Sequence, residues 1–231
     1  MKKITFTIDP GLEGVSPPPT PGSKSMPAWL KRLETYTKPR PDDEYDSPTV
    51  KACSPFKDAI FAGYVIPLAW SVKVVAKEGG EIHFSWIGDV PDKIVNSHSP
   101  SQVDGYPSEQ ADFFKWTNVW TIMTPPGYST LFVPVMNRGE QPFKVFSAIV
   151  DTDTYFNVVN FPFTWTQYPY EGVLEAGTPL IQAIPFKRES WQMEARALGP
   201  KEALAKHKEG TSVHALLHHY TRNRRQRKLW R

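Results

Sequence analysis

From Trp116 to Arg188 the chain is a succession of short β-branched and aromatic runs cut by turn signals, and this pattern constrains the fold more than any other. The runs are Val119-Trp120-Thr121-Ile122-Met123, Leu131-Phe132-Val133-Pro134-Val135, Phe143 to Val150, Tyr155 to Trp165, and a last strand from Leu180 to Phe186. Pro125-Pro126-Gly127-Tyr128 and Asn137 to Pro142 separate them. Short strands at this spacing predict an antiparallel β-sandwich, or a jelly-roll or cupin-like barrel. The best hairpin is Val119 to Thr124 returning as Ser129 to Met136, with proline presetting φ and Gly127 free to take φ > 0 in a type II turn.

Upstream, Tyr64 to Leu68 and Trp70 to Lys77 read as strands, and Gly79-Gly80 turns the second into Glu81 to Trp86. A three-residue loop places Trp70, Val72 and Val74 with Ile82, Phe84 and Trp86, and leaves His83 outward beside Lys73 and Val75. Burying that apolar set together decides the register, since each large side chain contributes roughly 1.5–3 kcal/mol on burial. Ser54 and Pro55 open a helical turn or two that Gly63 stops. Asp89 to Phe114 shows no periodicity and is expected to be a long loop, the natural lid or wall of any pocket.

Three parts follow: an N-terminal arm over residues 1–48, a β domain over 49–190 and a helical basic tail over 191–231. In the arm, Ile4, Phe6 and Ile8 share a face of an edge strand. Gly11 to Gly22, with Pro17-Pro18-Pro19 and Pro21, predicts an extended spacer. Ser25 and Pro27 cap a short amphipathic helix carrying Trp29, Leu30, Leu33 and Tyr36, and Lys38 to Pro48 reads as linker. In the tail, Pro200 to Lys208 is helical with Gly210 as its stop, and Thr211 or Ser212 caps a second helix bearing Val213, Leu216, Leu217 and Tyr220. The net charge of +3 belongs to the end of the tail: Arg222, Arg224, Arg225, Arg227, Lys228 and Arg231 carry six positive charges, and the remainder holds 21 basic against 24 acidic residues. That end predicts salt-sensitive contact with nucleic acid or with an acidic protein neighbour.

The one cysteine, Cys53, excludes an internal disulfide. No signal-peptide core and no run of 18 apolar residues is present, so a cytoplasmic or virion location and no membrane partner are expected.

Cys53-x-Pro55 before Gly63-Tyr64, Thr124-Pro125-Pro126-Gly127-Tyr128, Val150-Asp151-Thr152-Asp153, Phe163-x-Trp165, and Gly177-Thr178-Pro179 through Pro185-x-Lys187-Arg188 resemble, in order and spacing, an uncharacterised family of phage and bacterial proteins known as a domain of unknown function. The resemblance covers Val50 to Arg188. Tyr64 and Tyr128 stand where many relatives have tryptophan. The resemblance implies a compact β domain of phage type, and brings no catalytic residues with it.

No catalytic pattern is complete. His83 and His98 are candidate ligand-binding residues, but a cupin-like Fe(II) site needs His-x-Asp/Glu and a distant His, whereas Ser85 stands two positions after His83 and Pro100 two after His98. No metal and no cofactor are expected. Asp151 and Asp153 share a face if extended and form a candidate carboxylate pair, although Asp and Thr at a strand end more often satisfy turn amides. Arg188 is a candidate clamp for a carboxylate or phosphate. Trp165, in a run of aromatics that includes Trp116, Trp120, Tyr155, Phe161, Phe163, Tyr168 and Tyr170, is a candidate ligand-stacking residue, against the commoner role of such rings in cross-strand packing. The expected function is that of a non-catalytic structural or interaction protein, a virion assembly component whose arms contact neighbouring subunits or copies of itself. The rivals are a cupin-like iron oxygenase or other small-molecule enzyme, and a nucleic-acid binder acting through the tail.

Overall fold

The computed structural model describes residues 2–38, 47–88, 90, 93–103, 113–211, 220–226 and 228–230. Contacts divide the chain into two units, Met1–Arg188 with Trp230–Arg231, and Glu189–Leu229.

In the first unit the elements are β1 (Thr5–Thr7), β2 (Thr20–Pro21), α1 (Ala28–Arg32), α2 (Ser54–Phe61), β3 (Tyr64–Pro67), β4 (Val72–Ala76), β5 (Ile82–Trp86), β6 (Val95–His98), β7 (Phe113–Trp116), β8 (Thr121–Met123), β9 (Tyr128–Pro134), β10 (Phe143–Val145), β11 (Ala148–Val150), β12 (Phe161–Trp165), β13 (Tyr170–Leu174) and β14 (Pro179–Lys187). Among the described residues the strands form sheets ordered β1-β8, β10-β12-β7-β6, β11-β9-β14-β3-β2 and β13-β4-β5, with antiparallel pairing throughout. Leu68 donates its N–H to the Thr178 carbonyl and accepts from the Gly177 N–H, which carries the ladder of β3 and β14 over to that of β4 and β13. The protein is mainly β, an antiparallel sandwich of jelly-roll-like form, as the alternation predicts.

Ring packing joins the layers. Phe84 of β5 meets Phe114, Trp116, Phe163 and Trp165 edge-on, and Phe132 of β9 packs on Phe161 of β12. The β4–β5 register pairs Val74 with Phe84, Val72 with Trp86 and Val75 with His83, so the apolar set shares the inner face and His83 points out. Burial of that apolar set thus fixes the three-residue loop and the register that follows from it.

Other expectations are corrected. The Asp89 to Phe114 stretch is not one loop: β6 pairs with β7, and Ile94, Val95, Phe113 and Phe114 are buried. Val-Asn-Ser-His hides the strand because only one of its four residues is apolar. Its role as a pocket lid falls away for these residues, and 104–112 lie outside the described ones. The hairpin at Pro125-Pro126-Gly127-Tyr128 is a turn without a hairpin. Gly127 has φ 83° and Tyr128 N–H reaches the Pro125 carbonyl at 3.2 Å, but β8 pairs with β1 and β9 with β11 and β14. Two prolines in succession remove two ladder donors, and the chain uses the turn to change sheets. Likewise Phe143 to Val150 is two strands in two sheets, and Tyr170–Leu174 is a strand that sequence pattern misses because Gly172 leaves its inner face without a side chain and the apolar Val173 stands on the outer one.

The proline-rich spacer is tied to the sheet. β2 pairs with β3, and Gly22 lies so close to α2 that an added Cβ would meet the Ile60 carbonyl at 2.6 Å. The amphipathic helix is one short turn, α1, with Pro27 at its N-cap, Leu33 already extended and Leu30 buried. Residues 39–46 of the expected linker lie outside the described residues. Gly63 at φ 62° ends α2 and could hold no side chain, since a Cβ there would stand 2.1 Å from the Ala183 carbonyl.

In the second unit α3 spans Pro200–Thr211 and runs through Gly210 instead of stopping there. Glu202 caps its start by accepting from the Gly199 N–H at 3.1 Å and is held by both terminal nitrogens of Arg196. Residues 220–224 form a π-helical turn. Of the expected second tail helix, Val213, Leu216 and Leu217 lie outside the described residues, and Tyr220 opens the π-helical turn. Among the described residues no helix is long and apolar enough to cross a membrane.

Candidate functional site

Three of the sequence segments singled out above converge at one end of the β9–β14 pair. Register places Lys187 opposite Tyr128, and Arg188 N–H then bonds the Gly127 carbonyl at 2.9 Å. On the other side of β9, Val150 pairs with Thr130, so the chain enters the turn at Asp151-Thr152-Asp153 beside the same Gly127. The Arg188 guanidinium grips Asp153 with two parallel bonds, Nη1 to Oδ1 at 2.8 Å and Nη2 to Oδ2 at 2.5 Å. This fork geometry is the strong form of the Arg–carboxylate pair. Asp153 Oδ2 also accepts the Gly127 N–H at 2.8 Å. Asp151 Oδ1 takes the Ser129 hydroxyl at 2.6 Å and lies 3.3 Å from Arg188 Nη1. Beneath them the buried Thr152 hydroxyl sits 2.8 Å from those of Thr124 and Thr130.

The Asp153 side chain is 4% exposed. Hydrogen bonds from Arg188, with help from the Gly127 N–H, hold its carboxyl down to about 2 against burial, which pushes the other way. A carboxylate so held stays ionised and accepts hydrogen bonds; it supplies no proton at neutral pH. The pair therefore performs turn chemistry, pinning the Asp151–Thr154 turn and the Pro125–Tyr128 turn to the end of β14. A folded-state pKa below the unfolded 3.8 gives stability that is fully present above about pH 4 and is lost as pH falls towards 2. Asp153→Asn should thus lower the melting temperature at pH 7, and the gap to the parent protein should close between pH 4 and pH 2, as followed by thermal melts across that range.

The remaining candidates disperse. His83 lies on the outer face of β5, with Nε2 2.8 Å from Glu81 Oε1, while His98 ends β6 in a different sheet and its Nδ1 meets Gln102 Oε1 at 2.5 Å. Among the described residues no three His, Cys, Asp or Glu side chains are grouped to hold a metal. Trp165 is corrected from a ligand-stacking residue to core filling: it is 2% exposed, and its Nε1 donates to the Gln167 carbonyl at 2.7 Å. Trp116, Phe161 and Phe163 are buried with it. Arg188 is half-exposed, but its guanidinium is engaged by Asp153 and Ser129, which corrects the free clamp. Of the basic end, Arg222, Arg224, Arg225 and Lys228 are exposed, and Arg227 and Arg231 lie outside the described residues.

One feature escaped the sequence. An open groove of about 680 Å³ is walled by Val75, Lys77, Glu78, Pro169, Tyr170 and Glu171. It exists because β13 pairs with β4, the strand whose pattern was illegible.

The sheets, and the Arg188–Asp153 pair that ties two of their turns together, define an antiparallel β-sandwich protein with a short C-terminal helical unit. No protein-family model and no curated protein matches the chain. Among solved structures it is similar to the dUTPase of Staphylococcus bacteriophage 80alpha, at 9% sequence identity and a TM-score of 0.36, over 86% of this chain and 90% of that one.

Proposed function

We propose that the chain is a non-catalytic structural or interaction protein, built to contact neighbouring subunits in an assembly. The observation that carries this reading is the exposure of large apolar side chains on the segment after the β domain: Trp191 is 88% and Met193 90% exposed, two neighbouring apolar groups of the kind that mark an interaction surface. Inside the domain the side chains with chemical potential are occupied structurally, Asp153 and Arg188 with each other and Trp165 in the core. We take a virion as the assembly, a reading that rests on the sequence motifs of Val50 to Arg188 alone.

Sedimentation of the full chain over a wide concentration range tests the proposal. Self-association, or recovery in particles, is the expected result. A monomer at every concentration that binds stoichiometric iron through His83 or His98 would replace the proposal with the oxygenase reading.

The exposed Arg222, Arg224, Arg225 and Lys228 favour a second role in nucleic-acid contact. Deleting residues 222–231 should then abolish DNA binding whose affinity falls with salt at a log–log slope of about −0.9 for each phosphate contacted. Binding that survives the deletion unchanged removes this role.

A further inference from the structure

Between β14 and α3 the chain carries a strand's pattern without a strand's partner. Trp191, Met193, Ala195 and Ala197 alternate with Gln192, Glu194 and Arg196, the period-two spacing of a strand with one apolar face. Residues 189–199 nevertheless form no helix or strand, and residues 189–198 are exposed throughout.

A matching edge is present. β5 is the outermost strand of its sheet, with no strand paired to its far side among the described residues. Lys77 N–H bonds the Glu81 carbonyl and Ile87 N–H bonds the Ser71 carbonyl, so the alternation of the ladder turns the amides of Ile82, Phe84 and Trp86 outward. The side chains of these same residues lie on the inner face, yet Ile82 and Phe84 are only partly buried and Trp86 and Ile87 are exposed. Among the described strands, the other five-residue edge, β13, has Gly172 at its centre and offers no side chain there, while β2, β6, β10 and β11 are shorter.

We propose that Ser190–Ala197 of one chain adds to β5 of a second copy of this chain as an antiparallel strand, an inference that rests on the assembly reading above. One register satisfies both faces. It sets Trp191 against Trp86, Met193 against Phe84 and Ala195 against Ile82 on the apolar side, and Gln192 against Ser85, Glu194 against His83 and Arg196 against Glu81 on the polar side. Arg196 exchanges its present partner, Glu202, for Glu81 in this arrangement. Chain length selects a second copy over the chain's own β5. Lys187 ends the nine-residue β14, whose start adjoins the β4 sheet, so Arg188, the next residue, lies about 27–30 Å from that junction. Three residues, Glu189 to Trp191, span at most about 11 Å. Charge agrees: residues 1–188 hold 17 basic against 20 acidic side chains, and residues 189–231 hold 10 against 4.

The test uses full-length chains in which the exposed Cys53 is replaced by serine. One carries His83→Cys and the other Glu194→Cys. In the proposed register these two positions form a non-hydrogen-bonded pair with Cα atoms about 4.5 Å apart, within disulfide range. Mixing and mild oxidation should give a disulfide-linked heterodimer, while Met193→Cys, on the opposite face, should not link to His83→Cys. Separately, Trp191→Ser with Met193→Ser should weaken self-association by about 100-fold without moving the melting temperature of the monomer. Self-association that persists undiminished in that double variant, with no 83–194 link, overturns the strand exchange and leaves the assembly reading standing. A parent chain that stays monomeric at every concentration overturns both.

Discussion

Phe163→Ala is expected to cost about 3–5 kcal/mol, the range for removing a large aromatic side chain from a packed core. Phe163 is fully buried and stacks on Trp116 with ring centroids 4.4 Å apart and an interplanar angle of 11°. It also touches Phe84, Phe114 and Phe143, so one ring bridges β12 to β5, β7 and β10. Removing it leaves a cavity walled by aromatic faces that cannot collapse without shifting two sheets. A domain holds about 5–15 kcal/mol in total, so the variant should unfold in part near physiological temperature. Denaturant unfolding should show a lower midpoint at unchanged slope. A loss below about 1 kcal/mol would mean that the site relaxes freely and that the two layers are not joined through this ring.

The same ring shows what was legible in the sequence. Phe161, Phe163 and Trp165 alternate in a run bounded by turn residues, and the structure places all three on the inner face of β12. The hairpin at Gly79-Gly80 was equally readable, because the apolar face of β4 had one partner face that buried it. Legibility failed where a strand's neighbours lie far away in sequence. Whether Val119 to Thr124 pairs with the strand after its turn or with Thr5–Thr7 depends on the sheets available to it, and no local spacing carries that information. β6 failed for another reason: Asn96, Ser97 and His98 are polar, and the strand is held by pairing with β7 more than by its own burial. Asp151, Asp153 and Arg188 were legible as residues of interest but not as partners. Arg188 lies 35 positions from Asp153, and only the register of β14 on β9 and of β9 on β11 brings the two together. The alternation of Trp191, Met193, Ala195 and Ala197 stands openly in the sequence, and its meaning emerges only once Trp191 and Met193 are found exposed.

Gln182 gave no sequence signal at all, and its loss should rival that of Phe163. It sits in the middle of β14, fully buried, where a glutamine has no reason to be unless its amide is used. Its Nε2 donates to the Ala59 carbonyl at 2.8 Å and to the Ala62 carbonyl, and its Oε1 accepts the Met136 N–H at 3.1 Å. Those carbonyls lie at the C-terminal end of α2, where a helix leaves acceptors without intrahelical donors. The side chain thus caps α2 from beneath and fixes the chain leaving β9 in the same act. Gln182→Leu keeps the volume and removes both functions, stranding Met136 N–H and the Ala62 carbonyl. At about 1–3 kcal/mol for each buried group left without a partner, the expected loss is about 2–6 kcal/mol. The Met136 amide should also lose its protection from hydrogen exchange, while amides in the β4–β5 hairpin keep theirs at equal global stability. If the Met136 amide stays protected and the stability falls by less than about 1 kcal/mol, a relaxed backbone or an entering water satisfies these groups, and the glutamine does not hold helix and sheet together.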